Sequence, residues 1–325
     1  MSLDEFGIIR RHFVRNAPVR DDVVAGIGDD AALLQVPAGH ELVVCTDTLV
    51  AGRHFPETTT PAAIGYKALA VNLSDLAAMG AEPAWVTLAL TLPGYDESWM
   101  SEFMQGFFRL ADHCNVALVG GDTTRGPLSI TVQAQGFVPS GQALMRHGAQ
   151  PGDHIYVTGT LGDAGLALYL AEQADGELRQ RLDYPEPRLQ AGQVLRGLAT
   201  SAIDISDGLL ADLGHLLEAD RLGASIETDL LPRSVAFENA IRQAGADAES
   251  LANDLPLSAG DDYELCFTAQ AADEAAVMAT FASLDCGCTR IGIVEQQPGI
   301  RCLRANSIAY LPAVTGYNHF DDPDG

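Results

Sequence analysis

Lysine is almost absent from this chain: Lys67 is the only one among 19 lysines and arginines. A P-loop needs Gly-Lys-Ser/Thr behind a glycine turn, so that the ammonium meets the phosphates of a nucleotide. Here the lysine stands in Tyr66-Lys67-Ala68. Neither the catalytic loop of protein kinases nor their Asp-Phe-Gly metal motif is present. Any nucleotide chemistry must therefore proceed without the two commonest arrangements. Basic charge is scarce throughout, with 44 acids against 19 bases and a formal net charge of −25. Nucleic-acid binding draws on a basic surface that displaces counterions, so that partner class is excluded. No apolar run reaches the roughly 20 residues that span a bilayer, and no membrane association is expected. The opening MSLDEFGIIRRHFVRN has early acids and too short an apolar stretch for a signal peptide. It reads as a short docking helix. The cysteines (Cys45, Cys114, Cys266, Cys286, Cys288, Cys302) form no C-x-x-C pair, and nothing completes a zinc set around Cys286 and Cys288. Reduced thiols in the cytoplasm are the expectation.

What the chain does have is apolar content and alternating elements. At 325 residues, 47% hydrophobic and 19% charged, it is long enough for two globular domains. The first half predicts a strand over Glu41–Val50, a helix over Pro61–Gly80 and a strand over Ala84–Leu92. A helix over Glu97–His113 and strands over Val116–Gly120 and Ser129–Val138 follow. Two helices on one sheet face leave the other face, with Thr87, Thr91, Thr131, Gln133 and Gln135, needing cover. Those side chains suit a subunit interface, so a symmetric homodimer through this sheet is expected. Pro139–Asp153 is a glycine- and proline-rich joint. Beyond it, strands are predicted over His154–Thr158, Ala202–Ile205, Ala224–Glu227, Tyr263–Thr268 and Arg290–Val294. Helices are predicted over Leu189–Ala199, Leu209–Ala219, Val235–Ala244 and Ala271–Leu284, and the final DDPDG reads as disordered. The fold class is α/β (α+β): an N-terminal mixed sheet with helices over 1–138, the nucleotide, metal and dimerisation domain, and a C-terminal α/β domain over 139–325.

Acidic residues recur where core or turn residues should stand. Asp29 and Asp30 follow Gly26-Ile27-Gly28, and Asp47 sits inside the apolar strand Cys45-Thr46-Asp47-Thr48. Asp75 lies mid-helix, Asp122 follows Gly120-Gly121 just after a strand, and Asp204 and Asp207 flank Ile205-Ser206 where a strand becomes a helix. Individually each has a plain explanation: a turn, an exposed position, or a helix cap by Ser206 or Asp207. Asp75 has no lysine or arginine within four residues, so no local ion pair neutralises it. Taken together the acids point elsewhere. Mg²⁺ prefers carboxylate oxygens and takes one or two from protein, the rest from phosphates and water. Divalent ions could then supply the charge that a P-loop lysine supplies in other enzymes. The segment Gly159-Thr-Leu-Gly162-Asp-Ala-Gly165 leaves two readings open, a phosphate cradle at a helix N-terminus or a tight turn.

These motifs together resemble the thiamine-monophosphate kinases, in the superfamily of aminoimidazole ribonucleotide synthetase. The resemblance rests on GIGDDAALL, CTDTLVAGRHF, YKALAVNLSDLAAMGA, GGDTTRGPLSIT, DISDGLLADLGH, GDDYELCF and GYNHF, in family order from Gly26 to Phe320. It implies a two-domain aminoimidazole ribonucleotide synthetase-like fold, a homodimer, and phosphoryl transfer from ATP to thiamine monophosphate with several Mg²⁺ ions. Carried over by motif, Asp30, Thr46, Asp47, Asp75, Asp122, Asp204 and Asp207 are the implied Mg²⁺ ligands, with Cys45 contributing only its backbone carbonyl where serine is common. Asp47, Asp75, Asp122 and Asp207 are the implied catalytic set. Gly121, Asp122, Arg146 and Ser206 are implied to contact ATP, and His54, Asp261 and Tyr317 the acceptor. Asp261 departs from the glutamate that the family often carries, one methylene shorter in reach. The selenophosphate branch fits poorly, because the first cysteine is Cys45 and no lysine accompanies it.

Overall fold

The computed structural model describes residues 5–15, 20–174 and 176–317. The DDPDG tail, the last three residues of GYNHF and the first four of the expected docking helix lie outside these. The chain divides into two compact units, Met1–Leu76 with Ala81–Gly141, and Ala77–Gly80 with Gln142–Gly325.

In the N-terminal unit the elements run α1 (Glu5–His12), β1 (Val23–Ala25), β2 (Leu33–Leu34), β3 (His40–Val50), α2 (Pro61–Ala78), β4 (Glu82–Leu92), α3 (Glu97–His113), β5 (Ala117–Arg125) and β6 (Ser129–Pro139). A four-stranded sheet in the order β3-β6-β4-β5 is antiparallel except for β4 and β5, which α3 connects as parallel neighbours. Helices α2 and α3 pack backbone to backbone. A Cβ on Gly65 would lie 2.0 Å from the Phe103 carbonyl oxygen, and one on Gly106 would lie 1.8 Å from that of Ala62. Only glycine permits that approach. It lets Leu69, Leu73 and Leu76 of α2 and Phe103 and Phe107 of α3 be fully buried, as are Val86 and Leu90 of β4. Asp96 caps α3, accepting from the Trp99 N–H at 3.0 Å. Helix α1 is tied down through Arg11, which pairs with Glu97, and His12, whose Nε2 lies 3.1 Å from the Tyr95 hydroxyl. Just beyond the helix, Arg15 pairs bidentately with Asp112 at 2.9 and 2.6 Å, its guanidinium 3.7 Å from the Phe108 ring centre.

The opposite sheet face is covered only in part. Trp85 packs edge-on against Phe137, and its indole N–H donates to Asp22 at 2.9 Å beside the small β1–β2 pair. Further along, Gln135 is buried and donates to Gln133, while Leu42, Val44 and Val50 of the edge strand β3 are exposed.

The C-terminal unit contains β7 (His154–Thr158), α4 (Asp163–Leu170), α5 (Gly176–Asp183), α6 (Leu189–Val194), β8 (Ala199–Asp204), α7 (Leu209–Asp220), β9 (Gly223–Glu227), α8 (Val235–Ile241), α9 (Ala248–Ser258), β10 (Leu265–Ala269), α10 (Glu274–Phe281), β11 (Cys288–Glu295), β12 (Gly299–Arg304) and β13 (Ile308–Tyr310). Its seven strands are ordered β13-β12-β9-β11-β7-β10-β8, antiparallel except for β12 beside β9. One face packs Leu209, Leu213 and Leu216 of α7 on Ile155, Val157 and Ile203; the other stacks Tyr156, Phe267 and Phe281.

Several elements escape sequence patterning. The strands β1 and β2 are too short to show a period, α5 is almost wholly polar, and α9 carries Pro256, which removes a donor inside the helix. Strands β12 and β13 likewise have no counterpart in the sequence reading. The strand expected from Tyr263 begins instead at Leu265, because Tyr263 has φ +50° and is not extended.

Candidate active site

In the N-terminal unit, strand alternation and helix α2 bring two of the acids together. Asp47 and Asp75 hydrogen-bond to one another, and both lie partly buried. Burial pushes the Asp47 carboxyl above its usual value, while Asp75 and the nearby His54 work against that rise. Between them stands Asn72, fully buried on α2. Its side-chain oxygen accepts the Asp47 N–H at 3.1 Å, and its amide donates to the Ala68 carbonyl at 3.1 Å. The Cys45 thiol donates to the Asn72 carbonyl at 3.3 Å; burial, then the charges of Asp75 and Asp47, push its pKa upward, so it is held protonated. The thiol is thereby removed from any ligand role. Thr46 goes the other way. On a strand of period two it faces the exposed side, and its hydroxyl is not gathered with Asp47. His54 accepts the Val50 N–H at Nδ1, 2.9 Å, which leaves Nε2 as the protonated nitrogen of the neutral ring.

The same unit holds a cleft of about 670 Å³ lined by Asp29 and Asp30 on one side and Gly120, Gly121 and Asp122 on another. Asp29 and Asp30 are exposed on a tight turn, where the Asp30 N–H bonds the Asp29 carboxylate at 2.9 Å. Gly121, at φ +149°, lies so close to β4 that a Cβ would sit 1.9 Å from the Leu88 carbonyl oxygen. Asp122 lies within β5, which runs on to Arg125, and not just after a strand as its sequence indicated. Pairing of β5 with β4 continues from Trp85 to Leu92, and this extends the strand past its glycines.

In the C-terminal unit, Asp204 ends β8, buried, and Ser206 and Asp207 occupy the turn into α7. Neither caps the helix. Gly208 is the N-cap residue, and the N–H groups of Ser206, Asp207 and Gly208 all donate to one oxygen of Asp212, at 3.0, 3.0 and 3.1 Å. Burial and the charges of Asp204 and Asp207 outweigh those bonds and push the Asp212 carboxyl up to about 7. Tyr317 reaches this turn by its main chain, donating to the Asp207 carbonyl at 2.9 Å. Arg146 is exposed in its loop.

The GDDYELCF motif alternates between anchors and presented groups. Asp262 is buried and accepts the Gly162 N–H at 3.0 and 3.1 Å. Burial pushes its carboxyl well up. Glu264, fully buried, accepts from Thr158 at 2.6 Å, from Arg181, and from Arg188 at 2.7 and 2.6 Å, and those guanidinium groups hold its carboxyl below the usual range despite burial. These carboxylates decide between the two readings of the Gly159–Gly165 segment: the Gly162 N–H is taken by Asp262, and Gly159 packs directly on Glu264, so it is a tight turn. On either side of Asp262, Asp261 is partly exposed at φ +68° and Tyr263 sits at φ +50°. A bulky residue in the left-handed region is strained, at a cost on the order of 1–3 kcal/mol.

Among the described residues, no three His, Cys, Asp or Glu groups form a cluster able to hold a metal alone. The Asp47–Asp75 pair nonetheless suits a hard divalent cation, which would draw its remaining oxygens from phosphate and water. Sequence reasoning missed Asn72, Asp212, Asp262, Tyr263 and Glu264. Only Asn72 carried a signal, as a polar residue within the apolar helix Val71-Asn72-Leu73-Ser74.

Two family models match the chain: the AIR synthase related protein N-terminal domain over residues 28–138 and its C-terminal domain over residues 150–303. Thiamine-monophosphate kinase of Escherichia coli (strain K12) is 48% identical over 337 residues, covering 99% of this chain and all of that one. The crystal structure of thiamine-monophosphate kinase from Stenotrophomonas maltophilia K279a is similar with a TM-score of 0.82 and 50% identity, over 90% of this chain and 93% of that one. The structure of AaThiL complexed with AMPPCP and TMP is similar with a TM-score of 0.75 and 32% identity, over 90% of this chain and 92% of that one.

Proposed function

The chain belongs to the thiamine-monophosphate kinases of the AIR synthase related family, and on that premise we infer that it transfers a phosphoryl group from ATP to thiamine monophosphate, yielding thiamine diphosphate. The observation that carries this is the full-length similarity to AaThiL, solved with AMPPCP, an ATP analogue, and TMP.

The finer assignment concerns how the residues do it. Asp30, Asp47, Asp75, Asp122, Asp204 and Asp207, with the Cys45 carbonyl, are the ligands we assign to Mg²⁺; Thr46, whose side chain faces away from Asp47, is not among them. Support comes from the partly buried Asp47–Asp75 pair and from the cleft that Asp30 and Asp122 share. When bound, magnesium supplies positive charge between two anionic reactants. Asp47, Asp75, Asp122 and Asp207 are thereby the catalytic group. The backbone at Gly121 can approach the nucleotide closely because no side chain intervenes, and Asp122, Arg146 and Ser206 complete the ATP contacts. His54, Asp261 and Tyr317 hold the acceptor, and His54 presents Nε2–H as a donor. The acceptor is a phosphate monoester whose second pKa is about 6, so near neutral pH it arrives as a dianion and needs no general base. Positioning does the rest. The transfer is direct and in line, with no phosphoenzyme. Exposed Leu42, Val44 and Val50 on a long edge strand support a homodimer through the N-terminal sheet. Free thiols and a requirement for ATP suit the cytoplasm.

The test is an ATP-dependent assay for thiamine diphosphate, with and without a chelator, on the wild type and on Asp47→Asn. Activity should vanish with chelator and return with added Mg²⁺. Asp47→Asn should be inactive yet melt like the wild type, since it removes charge and keeps volume. Full activity in either the chelated enzyme or the variant would refute the metal site.

A further inference from the structure

Two non-glycine residues in the left-handed region, one on each side of a buried anchor, need a reason. Glycine at 261 and 263 would relieve the backbone at no steric cost, so the side chains there are retained for use. The main chain gives them no freedom: the Asp261 N–H donates to the Ser206 carbonyl at 2.9 Å and the Tyr263 N–H to the Ile205 carbonyl at 2.8 Å. Asp262 is held by the Gly162 N–H, and Glu264 by Thr158, Arg181 and Arg188. In this fixed frame the Tyr263 side chain is buried, and its hydroxyl donates to Oδ1 of the partly exposed Asp261 at 3.0 Å.

We propose that Tyr263 is a positioning residue, whose hydroxyl fixes the Asp261 carboxylate to receive the cationic thiamine end of the acceptor. This rests on the assignment of Asp261 as an acceptor contact. A carboxylate repels the acceptor's phosphate and attracts its thiazolium ring and aminopyrimidine amine, so Asp261 meets the base and not the reacting group. An aspartate reaches one methylene less far than a glutamate, and a shorter carboxylate contacts its ligand only if it is held in one direction. Tyr263 supplies that hold.

The experiment compares Tyr263→Phe, Asp261→Asn and the double variant in steady-state assays against both substrates. Phenylalanine keeps the buried ring, so the variant folds, and its melting curve should overlay that of the wild type. Tyr263→Phe should raise KM for thiamine monophosphate about tenfold, the scale of one hydrogen bond to a charged group, with KM for ATP unchanged. Asp261→Asn should raise the same KM at least as much. Adding Tyr263→Phe to it should have little further effect, because the hydroxyl acts through the carboxylate. Multiplicative effects of the two changes, or an equal rise in both KM values, would overturn the role of Tyr263. If Asp261→Asn responds and Tyr263→Phe does not, the positioning role alone falls. Were Asp261→Asn itself silent toward thiamine monophosphate, the acceptor assignment would fall with it.

Discussion

Replacing Glu264 by glutamine tests how the C-terminal unit holds its GDDYELCF segment. The glutamate is fully buried and receives bonds from Thr158, Arg181 and Arg188, whose guanidinium side chains are 18% and 9% exposed. Glutamine keeps the volume but removes the charge, turns an amide N–H toward guanidinium donors, and leaves two buried cations facing each other. Breaking a buried pair in this way costs about 3–5 kcal/mol, a large share of the roughly 5–15 kcal/mol that holds a typical domain. In urea unfolding followed by circular dichroism, that is a fall in midpoint of about 1–2 M. Glu186→Gln is the internal control: it removes a partner of the same Arg188, at 2.9 Å, but from a side chain 66% exposed. Solvent screening limits its cost to about 0–1 kcal/mol. The acid dependence follows from the same geometry. Glu264 titrates below the usual 4.5 of a glutamate, so its contribution is complete above that value and is lost as pH falls through the depressed folded-state value. Wild type should therefore lose more stability on acidification than Glu264→Gln, and the two should converge. Equal cost for the two variants, or parallel acid curves, would refute the reasoning.

Gly121→Ala should destabilise the N-terminal unit by about 1–3 kcal/mol and weaken ATP binding, because its Cβ would meet the Leu88 carbonyl at 1.9 Å. Gly94→Ala, with open space around the added carbon, should do neither in the same thermal-melt and ATP-titration assays. Val44→Asp, on the exposed face of β3, should turn a dimer into a monomer by light scattering while leaving the activity of the wild-type dimer as the reference. A wild type that is already monomeric at micromolar concentration would remove the proposed interface.

Legibility in the sequence followed the range of each signal. Helix α2 declared itself through a proline at its first turn and a glycine at its end, α3 through its amphipathic pattern, and Asp47 through its place in an apolar strand. The β5 extension to Arg125 did not, because two glycines and an aspartate resemble a turn until a neighbouring strand pairs with them. Residues 206–208 resembled a self-capped helix start, yet their N–H groups go to Asp212, four to six positions onward.

From the sequence alone came the chemistry that was possible: one lysine excluded a P-loop, and ordered acidic motifs pointed to a metal-dependent phosphoryl transfer. Composition and local spacing suffice for that, since they depend on which groups exist and not on where they meet. The tertiary structure decided which of them pair, which are anchors and which are presented. It joined Asp47 to Asp75, sent Thr46 to the opposite face, and closed the Gly162 N–H with Asp262. A desolvated charge must find a partner wherever the fold brings one, often a hundred positions away, and no local pattern records that choice.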